Sequence, residues 1–433
     1  MGKGKKREDP LKNNKNDPFS EPTIKPDYKA WIVWPVFLFA ISVVSISLIS
    51  AIFPAMIGVS VADISDSRLT PEPFETGVWS GGIIFSSIIT LGLTGLYYKK
   101  KMPQSIANGL QKLFSFEVSK KVSTVAMAVI LAIYISASAG ELGTEEIWAD
   151  YNRVKERLQT WSLESIPTST EPHVRYFLIT SSYSLFGNYA VLPFLASISL
   201  VVVTFLITTQ ITKKRFAGII SAVILLQSNV FLTFDTSVAY DNFWILFYLL
   251  SLYLAVRFYP VSPFFYLLSI PSKALTVLFL PMSIYYFVRS KISRNKKIVL
   301  IIVHFVIIAI LISVVSTRGI SFVLATGEIE GFDAEDFWIG FASFAAQLRL
   351  DGMVLLFILP LMVGLFIAAR HGINHAESVM VLISGMLIIA PILTGFSEQT
   401  NQPYRFVPLV VFFAMGVGIL LSRISPEEQL QSK

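Results

Sequence analysis

The chain has 433 residues, of which 54% are hydrophobic and 15% charged, with a net charge of +6 and a mean hydropathy of +0.64. That balance excludes an ordinary soluble globular domain. It contains no cysteine, which rules out disulfides, thiolate metal sites and a cysteine nucleophile.

Residues 1–30 form a polar, basic, proline-containing stretch that reads as a disordered tail. Twelve apolar runs follow, near 31–54, 77–97, 122–139, 189–211, 216–233, 242–257, 260–271, 274–288, 298–316, 353–370, 378–395 and 405–421. Most have roughly the length needed to cross about 30 Å of hydrocarbon. The first is too long for a signal-peptide core and reads as an uncleaved anchor. The pair at 260–271 and 274–288 is short and interrupted by Pro271, which predicts a kinked or partly re-entrant hairpin. The expected fold is therefore an all-α polytopic membrane protein of about twelve transmembrane helices.

Charge distribution orients this bundle. With the N-terminus in the cytoplasm and one crossing per run, the cytoplasmic pieces hold 26 of the 35 Lys and Arg residues but 9 of the 29 Asp and Glu residues. The basic excess is the positive-inside signature, and it places both termini, including the tail 422–433, in the cytoplasm. The outer face then carries the acids, concentrated in the loops 140–188 and 317–352. Ionisable groups close to hydrocarbon are costly, so an acidic membrane edge directs attention to chemistry.

The first outer loop contains Thr144-Glu145-Glu146-Ile147-Trp148, followed by Asp150. Thr144 is a good helix N-cap, which predicts that both glutamates lie in a first helical turn, where the helix dipole alone would favour them. The alternative is that these carboxylates meet a lipid-borne substrate at the membrane surface. A Pro-His turn with Arg175 follows, and the next outer loop ends in Val238-Ala239-Tyr240-Asp241. Asp235, six residues earlier, reads as a helix-end or loop charge. Lys273 and Arg405 are isolated cations beside prolines on the acidic face, suited either to phosphate or to snorkelling toward lipid headgroups. In the outer loop 317–352, Asp333, Glu335 and Asp336 offer oxygens to a divalent cation, although an acidic loop surface accounts for them equally, and its aromatic spacing predicts an amphipathic helix on the membrane. His371 and His375 stand four apart without a carboxylate partner, so no metal site is expected there.

The order of these segments from Gly143 to Leu421 resembles the GT-C superfamily of polyprenyl-phosphate-sugar-dependent glycosyltransferases. That group includes protein O-mannosyltransferases, GPI mannosyltransferases and lipid A aminoarabinose transferases. Glu145-Glu146-Ile147-Trp148 is similar to the family's Asp-Glu-x-aromatic motif, and Glu171-Pro172-His173-Val174-Arg175-Tyr176 to its His-Pro-Pro segment. Ser184-Leu185-Phe186-Gly187, Lys213-Lys214-Arg215-Phe216-Ala217-Gly218, Ser272-Lys273-Ala274 and Pro403-Tyr404-Arg405-Phe406 resemble later family motifs in the same order. The sequence departs from the pattern in carrying Glu145 for the usual Asp and His173 for one proline, and in adding two spanning segments within 31–121 ahead of a GT-C-like unit at 122–421.

The resemblance implies transfer of a sugar, a hexose such as mannose, from a polyprenyl or dolichyl phosphate to a glycan, lipid or protein, with inversion at the anomeric carbon, on the extracytoplasmic face of a cell membrane or of the endoplasmic reticulum. It implies a carboxylate base, Glu145 first and Glu146 or Asp150 as alternates, because an alcohol is a weak nucleophile at neutral pH. Asp241 and His173 are expected to orient the acceptor, and Lys273, Arg405 and Arg175 to hold the donor phosphate. No resident cofactor is required, and a divalent cation is left open. A polymerase or ligase of lipid-linked polysaccharide and a multi-pass transporter are the competing classes, the latter weakened by the absence of matching halves.

Overall fold

The structure is a computed structural model that describes residues 30–54, 74–99, 101–166, 171–317, 331–373, 375–396 and 403–422. Residues 1–29 of the N-terminal tail and 423–433 of the C-terminal one lie outside the described residues, as do 318–330 of the second acidic loop. Among the described residues every regular element is helical.

The helices are α1 (Ala30–Ile52), α2 (Ser80–Tyr98), α3 (Gln104–Ser115), α4 (Lys120–Ser138), α5 (Ala149–Thr160), α6 (His173–Phe186), α7 (Val191–Thr212), α8 (Arg215–Leu226) and α9 (Asn229–Phe234). They continue with α10 (Phe243–Arg257), α11 (Ser262–Ser269), α12 (Leu280–Arg289), α13 (Arg294–Thr317), α14 (Ala334–Ala346), α15 (Gly352–Arg370), α16 (Ala376–Thr394) and α17 (Val407–Leu420). Seven helical stretches are long and apolar enough to cross a membrane: Trp31–Ile52, Lys120–Gly143, Val191–Thr212, Arg294–Val314, Gly352–Arg370, Ala376–Thr394 and Pro403–Leu420. Four shorter apolar helical stretches accompany them: Ser80–Leu96, Arg215–Leu226, Phe243–Arg257 and Ala274–Arg289. The protein is thus an all-α membrane protein.

The run expected at 260–271 forms only the eight-residue α11, a length of roughly 12 Å at the rise of an α-helix. The run expected at 216–233 is divided at Gln227 and Ser228. There the Ser228 hydroxyl accepts from the Phe231 amide and starts α9, while the same hydroxyl donates to Asp351 at the head of α15.

Burial separates two kinds of helix. The centre is α17, almost wholly buried, enclosed by α7, α8, α15 and α16. Two close approaches fix this centre. A methyl group added at Gly218 of α8 would stand 2.2 Å from the Thr209 hydroxyl of α7, and one at Gly418 of α17 would stand 2.1 Å from the Ser221 hydroxyl of α8. By contrast α2, α4 and α13 turn apolar side chains such as Ile88, Val125, Ile302 and Phe305 outward, as surfaces meant for lipid would.

The loops gather at two ends. At one, Lys214 donates to the Phe114 carbonyl, Phe116 packs on Phe216, and Arg289 pairs with Glu377 in a buried contact. At the other lie the loops before α5 and α6, the 235–242 segment, Lys273, Tyr404 and the start of α15. The basic and acidic stretches separated in sequence are thus also separated in space.

Candidate active site

Five residues, Ser237 to Asp241, organise the acidic end. They belong to the 235–242 segment that links α9 to α10 without regular structure, so their peptide groups need partners from elsewhere. Glu146 supplies one set. Its carboxylate accepts from the Val238 amide, from the Ala239 amide at 3.3 Å and from the Ser237 hydroxyl at 2.9 Å. Arg175, in the first turn of α6, supplies the other. Its guanidinium donates to the Val238 carbonyl at 2.9 Å and to the Ala239 carbonyl, and pairs with Asp241 at 2.5 Å. An anion therefore holds the loop by its N–H groups and a cation holds it by its carbonyls.

These contacts correct one expectation. Glu145 and Glu146 do not begin a helix: α5 starts at Ala149, and the Thr144 hydroxyl instead donates back to the Glu141 carbonyl at 2.8 Å. The bonds offered by the 237–239 loop outweigh a cap, and they pull Glu146 inward while Glu145 stays on the rim. Glu145 is exposed and pairs with Lys155 at 3.0 Å. Asp150 is the residue that occupies a first turn, and it accepts from the Tyr240 hydroxyl at 2.7 Å.

A second layer leads from there to the cations. The Tyr240 ring stacks on Tyr404 with centroids 4.2 Å apart and planes 13° from parallel. The Lys273 ammonium lies 3.8 Å from the centre of the Tyr404 ring and 5.4 Å from that of Trp244, a cation–π arrangement. Arg405 adjoins the same Tyr404 ring at 5.9 Å. Tyr240 and Tyr404 flank motif residues in the sequence, yet nothing in their spacing shows that the two rings meet.

Of the eight residues singled out in the sequence, Glu146, Asp150, Arg175, Asp241, Lys273 and Arg405 meet in this connected cluster. Glu145 borders it. His173 stands to one side, its ring nitrogen accepting from the Trp161 indole at 3.1 Å.

Burial sets the electrostatics. It pushes the Glu146 carboxyl up from its ordinary range, and the donors of Val238, Ser237 and Ala239 act against that rise. Asp241 is pushed up by burial too, opposed by Arg175 and Lys273. Burial lowers the Lys273 ammonium. Asp235, which read as a helix-end or loop charge, does cap the C-terminus of α9, but it is buried, accepts from the Ser138 hydroxyl at 3.0 Å, and has its carboxyl raised to about 6, chiefly by burial.

A cavity of about 790 Å³ opens beside this cluster, lined by Glu141, Glu145, Glu146, Trp148, Tyr189 and Thr236 among others. Its size falls within the range of small-molecule sites. Elsewhere, α14 begins at Asp333, whose carboxylate accepts from the Glu335 and Asp336 amides, and it packs through Phe341 and Phe344 into the bundle against α1 and α16. At the basic end His375 is buried, stacks on Tyr286 at 4.2 Å and bonds to Ser378. Among the described residues no group of three or more His, Cys, Asp or Glu side chains is arranged to hold a metal ion.

Fold and site together define an all-α membrane protein with a charged, aromatic-backed cluster at one end of its bundle. No protein-family profile, no curated protein and no solved structure matches this chain.

Proposed function

We propose that the protein is a glycosyltransferase of GT-C type that moves a hexose from a polyprenyl-phosphate donor to a hydroxyl acceptor, with inversion, on the extracytoplasmic side of a membrane spanned about a dozen times. The observation that carries this reading is the convergence of carboxylates and cations on one loop: Glu146 and Asp150 on one flank, Arg175, Lys273 and Arg405 on the other.

The reaction needs a base for the acceptor hydroxyl and positive charge for the departing phosphate. Glu145 is the base in this scheme. It lines the cavity, and one of its carboxylate oxygens accepts from the Lys155 ammonium. Glu146 is committed to three donors of the loop and acts by positioning. Lys273 and Arg405 hold the donor phosphate, with Tyr404 between them as a rigid backing. Arg175 serves the loop and Asp241 first, so its part in phosphate binding is secondary.

The test is sugar transfer in membranes supplied with radiolabelled polyprenyl-phosphate mannose or glucose, comparing wild type with Glu145→Gln. Labelled product lost in the variant supports both the class and the base. Product retained keeps the class and moves the base to Asp150. Absence of product with both donors counts against a hexosyltransferase.

A further inference from the structure

The basic end carries a feature that sugar transfer does not use. Helix α3 joins α2 to α4 and places Ile106, Leu110 and Leu113 on one side, at the i, i+4, i+7 spacing of a helical stripe. Ile106 is 47% exposed and Leu113 42%, and Phe116 just beyond the helix is 48% exposed. Gln104, Ser105, Asn108, Gln111 and Lys112 occupy the other positions and are also exposed.

The helix is not free to swing away. Lys214, buried and turned inward, donates to the Phe114 carbonyl, Phe116 packs edge-on against Phe216 at 4.8 Å, and Glu117 accepts from the Arg215 amide at 3.0 Å. These contacts bring two stretches distant in sequence, 112–121 and 213–215, onto one surface at the C-terminal end of the helix, while Lys99 and Lys101 stand just ahead of its N-terminus. Lys112, Lys120, Lys121 and Lys213 are exposed on that surface and Lys99 and Lys101 are exposed before the helix, while the described acid of these stretches, Glu117, is already paired with Arg215.

We infer that α3 and the lysines around it form a binding surface for anionic phospholipid headgroups of the leaflet at the basic end. The positive-inside rule accounts for lysines in these loops, but it does not require them to converge around a fixed apolar stripe. A helix with an apolar side and a cationic border settles in the interface plane, its apolar side among the upper acyl chains and its lysines at the phosphates. Charge complementarity selects an anionic lipid over a zwitterionic one. A free phosphate would satisfy the lysines but would leave Ile106, Leu113 and Phe116 in water.

The absence of native cysteine permits a local test on the full chain. Asn108→Cys, exposed on α3, takes a single fluorophore, and the protein is reconstituted in phosphatidylcholine vesicles. Acyl-brominated phosphatidylglycerol or acyl-brominated phosphatidylcholine is then added at equal mole fraction. Enrichment predicts stronger quenching by the phosphatidylglycerol, falling to parity when Lys101, Lys112, Lys120 and Lys121 are all changed to Gln. Where that variant fails to reconstitute, Lys112→Gln alone is read instead, with an expected drop in preference of about fivefold from the free energy per interfacial lysine. Equal quenching by the two lipids in the unaltered surface overturns the inference. So does a preference that survives the lysine changes.

Discussion

The Arg175–Asp241 pair gives the sharpest test of how the site is held. The two side chains are 16% and 3% exposed, so Arg175→Met strands a buried carboxylate and removes the donor from the Val238 and Ala239 carbonyls. Removing one member of a buried ion pair costs about 3–5 kcal/mol, since the remaining charge stays desolvated. Lys273 also acts on Asp241 and offsets part of that, which places the expected loss near the lower end, about 3 kcal/mol. Adding Asp241→Asn removes the stranded charge. The double variant should therefore be less destabilised than the sum of the singles, by a coupling of about 2 kcal/mol. Denaturation in detergent micelles, followed by far-UV circular dichroism for all four proteins, measures this. A loss below about 1 kcal/mol for Arg175→Met, or additivity within about 0.5 kcal/mol, would refute the clamp.

Other expectations follow from single contacts. Asp235 has its carboxyl raised to about 6, so the folded state holds its proton more tightly than the unfolded chain does. That contribution is complete below the ordinary carboxylate range and is lost as pH rises from about 4 to about 6, amounting to about 3 kcal/mol. Melting of wild type should therefore fall between about pH 4 and about pH 7 relative to Asp235→Asn, and parallel curves would contradict the buried-acid assignment. Lys273→Met should raise the apparent KM for the polyprenyl-phosphate donor about tenfold or more while sparing the acceptor KM, given the strength of charge-assisted phosphate contacts; equal shifts in both would argue for a purely structural lysine. Gly218→Val pushes a side chain into Thr209 and the Phe205 carbonyl and should cost about 1–3 kcal/mol or abolish folded yield. A normal melting temperature for that variant would mean that α7 and α8 are not so closely packed.

Much of this architecture is legible in the sequence because lipid solvation makes hydrophobic length a direct signal. The long runs at 31–54, 189–211, 298–316, 353–370, 378–395 and 405–421 correspond to α1, α7, α13, α15, α16 and the stretch Pro403–Leu420. The short α11 and the break at Gln227 were harder to read, since apolar composition does not say where a helix stops when side chains such as Ser228 and Asp351 can satisfy the freed backbone groups. At the site, the charged residues announced themselves by type and by position beside spans. Their pairing did not. Glu146 reaches peptide groups 92 and 93 residues away, and every residue except proline carries such an N–H, so no side-chain pattern marks the recipients. The same holds for the Tyr240–Tyr404 stack, made by residues far apart in the proposed GT-C-like unit.

The Ser237–Asp241 loop is gripped through its main chain, N–H groups by one charge and carbonyls by the opposite charge. Such a grip is nearly indifferent to which small side chains occupy Val238 and Ala239, but it is sensitive to counting. Lengthening the segment by one residue would offer Glu146 and Arg175 the wrong peptide units, setting oxygen against carboxylate and amide against guanidinium. Exchange among small apolar side chains at these two buried positions should thus be permitted where a single-codon insertion is not, and a library scanning such substitutions beside one-residue insertions across 236–240 would separate the two.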